Sequence, residues 1–383
     1  MKTKTILSVI MIVGILGVML NVSPLYGAKP LTTIERLGKH IFQDKDLSFN
    51  GTQSCESCHT PLAGFSNLSN SLHPYRYVVS LGADGVSLGG RNDLTAAYVG
   101  FSPILHQDEE GNWIGGSFWD GRATGERLGD PIAEQALGPF LNPKEMAMPD
   151  KEAVVAGVQA SSYARQFLLV FGPDAFNDTD KAYDNIGRAL AAYERSHEVT
   201  RFKSKFDKFW EHCNAVGIDT GDITAANVKY VPKGILNRQE LRGLVLFNTK
   251  GGCKECHPSA KPDYAPYPLF TDFSYDNLGI PVNPKLAGNP TDYGLGPIVA
   301  DPTKNGAFKV PTLRNIERTA PYGHNGYFPT LKKIVHFYNT RDVAPWPPAE
   351  IPGTVNKVET GNIGLTSRQE NDIVAFLLTL TDK

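Results

Sequence analysis

The chain has 383 residues, of which 41% are hydrophobic and 20% charged, the balance of a globular protein rather than a disordered or fibrous one. Its 38 Lys and Arg against 40 Asp and Glu give a formal net charge of -2, so there is no basic field to hold a nucleic acid. The length is worth two domains, and 37 Gly with 27 Pro forecast long irregular loops between helices.

Lys2 and Lys4 precede an apolar run from Ile6 to Leu20, which is short for a bilayer span and reads as the core of a secretory signal peptide over residues 1–28. A soluble body exported to the periplasm is expected, with no membrane contact for the mature part. An uncleaved anchor is the alternative, because Leu25 or Tyr26 would stand where cleavage prefers a small residue.

Leu31 to Phe42 carries Ile34, Leu37 and Ile41 at helical spacing with a Thr available to cap. The chain then turns through Asp44 to Gly51 into Cys55-Glu56-Ser57-Cys58-His59. The same pattern returns 198 residues later as Cys253-Lys254-Glu255-Cys256-His257. C-x-x-C-H is the attachment signature of c-type haem: two thiols add to the porphyrin vinyl groups and the adjacent His becomes the proximal iron ligand. Two short disulfides, or one zinc site built from four thiolates, are the alternatives, and neither explains a His after the second Cys both times. Cys213 has no motif around it and reads as a buried or free thiol.

Between the motifs, 150–171 and 184–193 read as helices, and 202–210 as a helix or a turn-rich connection. Asn237 with Glu240 forms a capping-box pattern ahead of Leu241, Leu244, Val245 and Phe247, a helix running into the second motif. Helix, turn and haem site therefore occur twice. The expected fold is mainly α, with two cytochrome c-like haem domains at 29–220 and 221–383 and long irregular loops. The longest loop spans 261–304, and the last element is a packing helix over 366–380.

Four further segments carry a resemblance: Phe118-Trp119-Asp120-Gly121-Arg122-Ala123; the stretch from Gln135 through Pro139 to Glu145 and Met146; Lys309 to Ile316; and Thr319 to Gly326. With both haem motifs they resemble the bacterial di-haem cytochrome c peroxidase family, and within it the MauG-like branch, over about 31–380. The resemblance implies two covalently bound haem c groups and one calcium ion. It makes Trp119 an electron relay between the haems and Glu145 the acid-base group at the peroxide-reactive haem of His59. Gln135 would support Glu145, and Pro139 would press on the haem face. Calcium would be held by Asn92, Thr319 and Pro321, with Arg91 and His324 as propionate partners.

In the ordinary peroxidases the second haem takes a Met fourteen residues after the His of the Pro-Tyr-x-His segment. Counting from His324 lands on Tyr338, and the chain has no Met after Met148. Tyr338 is thus the expected partner of His257 on the second iron, as in the MauG-like branch, with His336 as runner-up. His73 reads as an exposed loop histidine, which leaves the first haem open to peroxide. Trp210 resembles in position the surface Trp through which that branch oxidises its substrate, and it reads equally as core.

The implied activity is a hydrogen-peroxide-dependent oxidoreductase that stores oxidising equivalents on two haems and oxidises an external substrate, a partner protein among the candidates. The alternatives are an ordinary peroxidase drawing electrons from a cytochrome c or cupredoxin, and a pure electron-transfer cytochrome. A monomer or homodimer is expected.

Overall fold

The computed structural model describes residues 29–286 and 288–383; the expected signal peptide lies outside the described residues. Among the described residues eleven α-helices carry the fold: α1 (Thr33–Gln43), α2 (Cys55–Cys58), α3 (Leu68–Leu72), α4 (Pro131–Leu141), α5 (Lys151–Ala160), α6 (Ala164–Phe171), α7 (Thr179–Glu194), α8 (Lys205–Ala215), α9 (Arg238–Asn248), α10 (Leu331–Thr340) and α11 (Ser367–Leu377). Among the described residues the regular β structure is two antiparallel pairs of two-residue strands, β1 (His106–Gln107) with β2 (Trp113–Ile114) and β3 (Tyr275–Asp276) with β4 (Phe308–Lys309). The mainly α expectation holds.

Local chemistry explains the helix starts. Asn237 and Glu240 make the capping box forecast for α9, and the Thr expected to cap α1 is Thr32, which makes the same reciprocal box with Glu35. The helix expected over 150–171 is broken into α5 and α6 at Ser161–Tyr163, where the Ser161 hydroxyl bonds the Val158 carbonyl. α7 begins earlier than its apolar stripe suggests because Asp178 caps it, and the ambiguous 202–210 stretch resolves as α8, boxed by Ser204 and Asp207.

Residues 31–383 form one compact unit with two main hydrophobic clusters. The first draws on residues from Leu37 to Val199 together with Ala265, Leu269 and Phe273; the second runs from Phe206 to Leu380. The long 261–304 loop thus lends apolar side chains to the first cluster.

Each cluster contains an equivalent helix crossing that requires glycine. At Gly38 on α1 a Cβ would stand 1.9 Å from the Ala189 carbonyl oxygen of α7; at Gly243 on α9 it would stand 2.0 Å from that of Asp372 on α11. The helix leading into each haem motif is therefore pressed backbone to backbone against a later helix. Among the described residues no helix is long and apolar enough to cross a membrane.

Candidate functional site: two haem-attachment motifs and the wall between them

Both motif histidines are held in the same way. His59 Nδ1 lies 3.1 Å from the Phe65 carbonyl oxygen, and His257 Nδ1 lies 2.8 Å from that of Phe270. Pinning Nδ1–H to a carbonyl fixes the tautomer and leaves Nε2 as the free ligand atom. Phe65 and Phe270 both sit at positive φ, 61° and 55°. Each is clamped by a threonine bonding the preceding carbonyl: Thr95 Oγ1 to Gly64 O at 2.6 Å and Thr312 Oγ1 to Leu269 O at 2.7 Å. The internal repeat seen in sequence as helix, turn and motif thus extends to a supporting phenylalanine and a threonine clamp that no spacing announced.

The four motif thiols are free, and burial pushes Cys58, Cys253 and Cys256 up to about 12 and Cys55 higher still. Among the described residues no three His, Cys, Asp or Glu side chains converge as a metal site, so the two motifs do not close into one tetrathiolate zinc centre.

Beside the second motif a cavity with about 1700 Å³ of empty space, part of it open to solvent, is lined by Cys253, Cys256, His257 and Tyr338 with Leu278, Ile334, Ile373 and Leu377 among its apolar walls. Free paired thiols, an open histidine nitrogen and an apolar slot fit a covalently attached porphyrin. Tyr338, near the end of α10, faces the motif, and burial, then the nearby thiols, holds its phenol well above the usual range. His336 is absent from the lining. Its ring is bonded to Glu370 at 2.8 Å and half exposed.

Around the first motif the surroundings are carboxylic. The chain folds back after α4, with Met146 N bonded to Pro139 O at 3.1 Å and Ala83 N to Glu145 O at 2.8 Å, and this brings Glu145 beside Cys55, Cys58 and His59. Burial raises the Glu145 carboxyl above its ordinary range, Asp93 adding to the effect. Burial also lifts Asp93 to about 6 and Glu194, on the last turn of α7, to about 8; Glu194 Oε2 has no hydrogen-bond partner. Sequence reasoning missed both, since an Asp in a loop and a Glu at a helix end carry no signal until tertiary packing buries them. Gln135 and Pro139 are half-buried on α4. His73 is exposed and meets only the Tyr77 ring among the aromatic contacts.

Trp119 is buried in the wall of the second cavity, donating Nε1–H to Asn92 O at 2.8 Å, while its own carbonyl accepts from Lys309 N at 2.8 Å. Lys309 is itself buried, and desolvation lowers its ammonium to about 7; Nζ bonds the Gly115 carbonyl at 2.7 Å. Arg91 is committed to Asp292 at 2.6 Å and to Asp120 at 2.7 Å. The His324 ring stacks on Phe308 at 3.6 Å; both its nitrogens are buried, and Nε2 lies 3.5 Å from the Glu350 carboxylate, a long contact that leaves neither nitrogen with a well-formed hydrogen bond. Asn92 Nδ2 donates to Pro321 O at 2.7 Å, which joins two of the three calcium candidates; Thr319 lines the same cavity. An amide and backbone carbonyls are the hard oxygen donors that calcium takes.

Two equivalent C-x-x-C-H anchors in one helical fold define the class, a di-haem c-type protein, and the comparisons with known proteins agree. The family model described as di-haem cytochrome c peroxidase matches residues 32–215. Over 369 residues the chain is 36% identical to the methylamine utilization protein MauG of Paracoccus denitrificans (strain Pd 1222), covering 91% of this chain and 88% of that protein. It is 31% identical over 371 residues to the cytochrome c551 peroxidase of Nitrosomonas europaea, covering 95% and 86%. The crystal structure of the diheme peroxidase BthA from Burkholderia thailandensis E264 matches with a TM-score of 0.76 at 30% identity, covering 93% of this chain and 87% of that one. The chain belongs to the family of di-haem cytochrome c peroxidases and MauG proteins, and it is an oxidoreductase.

Proposed function

We propose that this protein is a hydrogen-peroxide-dependent di-haem oxidoreductase of the MauG type, which stores oxidising equivalents and withdraws electrons from an external substrate, a partner protein among the candidates. The observation that carries this reading is Tyr338, facing Cys253, Cys256 and His257 across an apolar cavity in a chain with no later methionine. The haems, when bound, supply the redox chemistry that accepts both equivalents of one peroxide. An anionic phenolate opposite His257 favours the oxidised states of an iron over the reduced one.

In this reading His59 and His257 would hold the two haem irons through Nε2, and Tyr338 would be a further ligand at the site of His257. Glu145 takes a proton from the proximal oxygen of peroxide and returns it to the departing one, with Gln135 as a polar neighbour and Pro139 narrowing the pocket. Trp119, in the wall of the cavity beside the second motif, acts as the relay between the sites. His324 and Arg91 would be the partners of the porphyrin carboxylates, and Asn92, Thr319 and Pro321 would hold calcium. The domains divide at 220/221, and residues 1–28 direct the chain to the periplasm.

The 31% identity to a cytochrome peroxidase supports the second reading, reduction of peroxide with electrons from a cytochrome c or cupredoxin. Adding hydrogen peroxide to the fully ferric, calcium-loaded holoprotein separates the two. Prompt loss of the ferric Soret band with a new near-infrared band is expected; no reaction until one haem is reduced would overturn the MauG-type reading.

A further inference from the structure

Outside the two haem motifs, four aromatic rings run in steps of about 5 Å from the buried interior toward the surface. Tyr98, fully buried, meets Phe202 at 5.0 Å; Phe202 stacks on Tyr267 at 4.9 Å; and Tyr267 meets Trp210 at 4.8 Å. Both ends of the inner stack belong to the haem supports. Tyr98 is two residues beyond Ala96, whose N–H shares the Phe65 carbonyl with His59; Tyr267 is three residues before Phe270, which anchors His257.

The stack is electrically uneven. The Arg314 guanidinium lies 4.9 Å from the Tyr98 ring and 4.5 Å from that of Phe202, held there by Asp207 at 2.8 Å and the Pro268 carbonyl at 2.7 Å. A fixed cation on these faces opposes removal of an electron from either ring. Tyrosine oxidation also releases the phenolic proton, so the ring that yields an electron most readily is the one with a free acceptor. Tyr98 donates to Asp382, but Asp382 already accepts from Lys203 N and Asn315 Nδ2. Tyr267 donates to Glu211 Oε1 at 2.7 Å, and Glu211 is exposed on α8 with no other hydrogen bond among the described residues.

We infer that Tyr267 is the residue on which the oxidising equivalent comes to rest outside the haems, as a neutral tyrosyl radical formed with Glu211 as proton acceptor. This deepens the proposed function and rests on it, since the haem pair supplies the oxidant. One electron passes from the Tyr267 ring to the oxidised haem pair while the O–H bond breaks and the proton moves to Glu211 Oε1. The reverse of that event, an electron from the substrate and the proton from Glu211, restores the phenol. The substrate is therefore a one-electron donor reaching the half-buried face of Tyr267 between α8 and the 261–267 loop, and Trp210 flanks that face without being the terminus.

The test is freeze-quench electron paramagnetic resonance on ferric holoprotein mixed with hydrogen peroxide, with tyrosine ring-deuterated throughout in a parallel sample. A narrow organic-radical signal that narrows further on tyrosine deuteration and is lost in Tyr267→Phe, while the Soret band still responds to peroxide, is expected. In Glu211→Gln, which keeps the phenol, the radical should form about 10²-fold more slowly and speed up as pH rises, because solvent base must take the proton. A signal insensitive to tyrosine deuteration, or one abolished by Trp210→Phe and intact in Tyr267→Phe, overturns the assignment while leaving the peroxide chemistry in place. A Soret band that does not respond to peroxide in the unaltered protein removes both.

Discussion

Around Cys55-Cys58-His59 the chain gathers carboxyl groups out of water, Glu145, Asp93 and Glu194. Around Cys253-Cys256-His257 it gathers aliphatic side chains and one phenol. The supports beneath are the same in both: a boxed helix, a glycine crossing, a histidine on a phenylalanine carbonyl, and a threonine clamp. A duplicated scaffold thus holds two different reaction environments. Part of the difference comes from the fold-back after α4, which delivers Glu145 to the first motif, and from α10, which delivers Tyr338 to the second; Asp93 and Glu194 stand on the loop and helix of the shared scaffold itself. Under the proposed function, the proton-handling groups of the first region serve peroxide cleavage, and the apolar wall with its phenol serves the second iron.

Removing the proton-handling side of this contrast should have the largest effect. Glu145→Gln is expected to slow peroxide consumption by about 10² to 10⁴-fold in stopped-flow absorbance, with haem content unchanged. Because burial raises the Glu145 carboxyl, the unaltered rate should fall as pH drops through that raised value, and the variant should lose this limb. A rate that ignores Glu145 would erase the functional difference between the two regions.

Glu194 gives the contrast a thermodynamic form. Its folded carboxyl holds its proton to about 8, whereas the unfolded chain releases it near 4.5. The unfolded state therefore binds fewer protons between these values, and stability falls as pH rises through the window. The contribution is fully present below about pH 4.5 and gone above about pH 8, several kcal/mol in order of magnitude for a shift of this size. Glu194→Gln should flatten the Tm profile across that range, which differential scanning calorimetry would show; an unchanged slope would mean that the carboxyl is hydrated.

The shared scaffold is tested at its crossings. Gly38→Ala and Gly243→Ala each drive a methyl group into a backbone carbonyl, and each is expected to cost about 3 kcal/mol. Similar losses of Tm would sustain the equivalence of the two halves, and a loss at one position alone would break it. The smallest effect is expected at His336, whose half-exposed pairing with Glu370 is worth under about 1 kcal/mol. His336→Gln should leave the visible spectrum unchanged and Tyr338→Phe should alter it; the opposite result would move the second ligand to His336.

Much of this was legible in the sequence because it is carried by adjacent residues. The two C-x-x-C-H runs, the Asn237–Glu240 capping box, the capping Thr ahead of α1 and the apolar stripes of α1, α9 and α11 are local patterns, and local patterns act through backbone geometry and hydrogen bonding within a few residues. The missing second-half methionine, with Tyr338 and Glu145 as candidates, also needed only a count and a resemblance. What the tertiary structure decided depends on residues far apart in the chain. Phe65 and Phe270 could not be read as histidine anchors, because a carbonyl has no side-chain signature. Asp93 and Glu194 became high-affinity proton sites only through burial, which removes the water that would otherwise stabilise their charge. The break between α5 and α6, the placement of His336 on Glu370 rather than in the cavity, and the pairing of Tyr267 with Glu211 arise the same way. Sequence specifies the groups that can react, and three-dimensional packing sets the solvent, partners and charge that determine what each of them does.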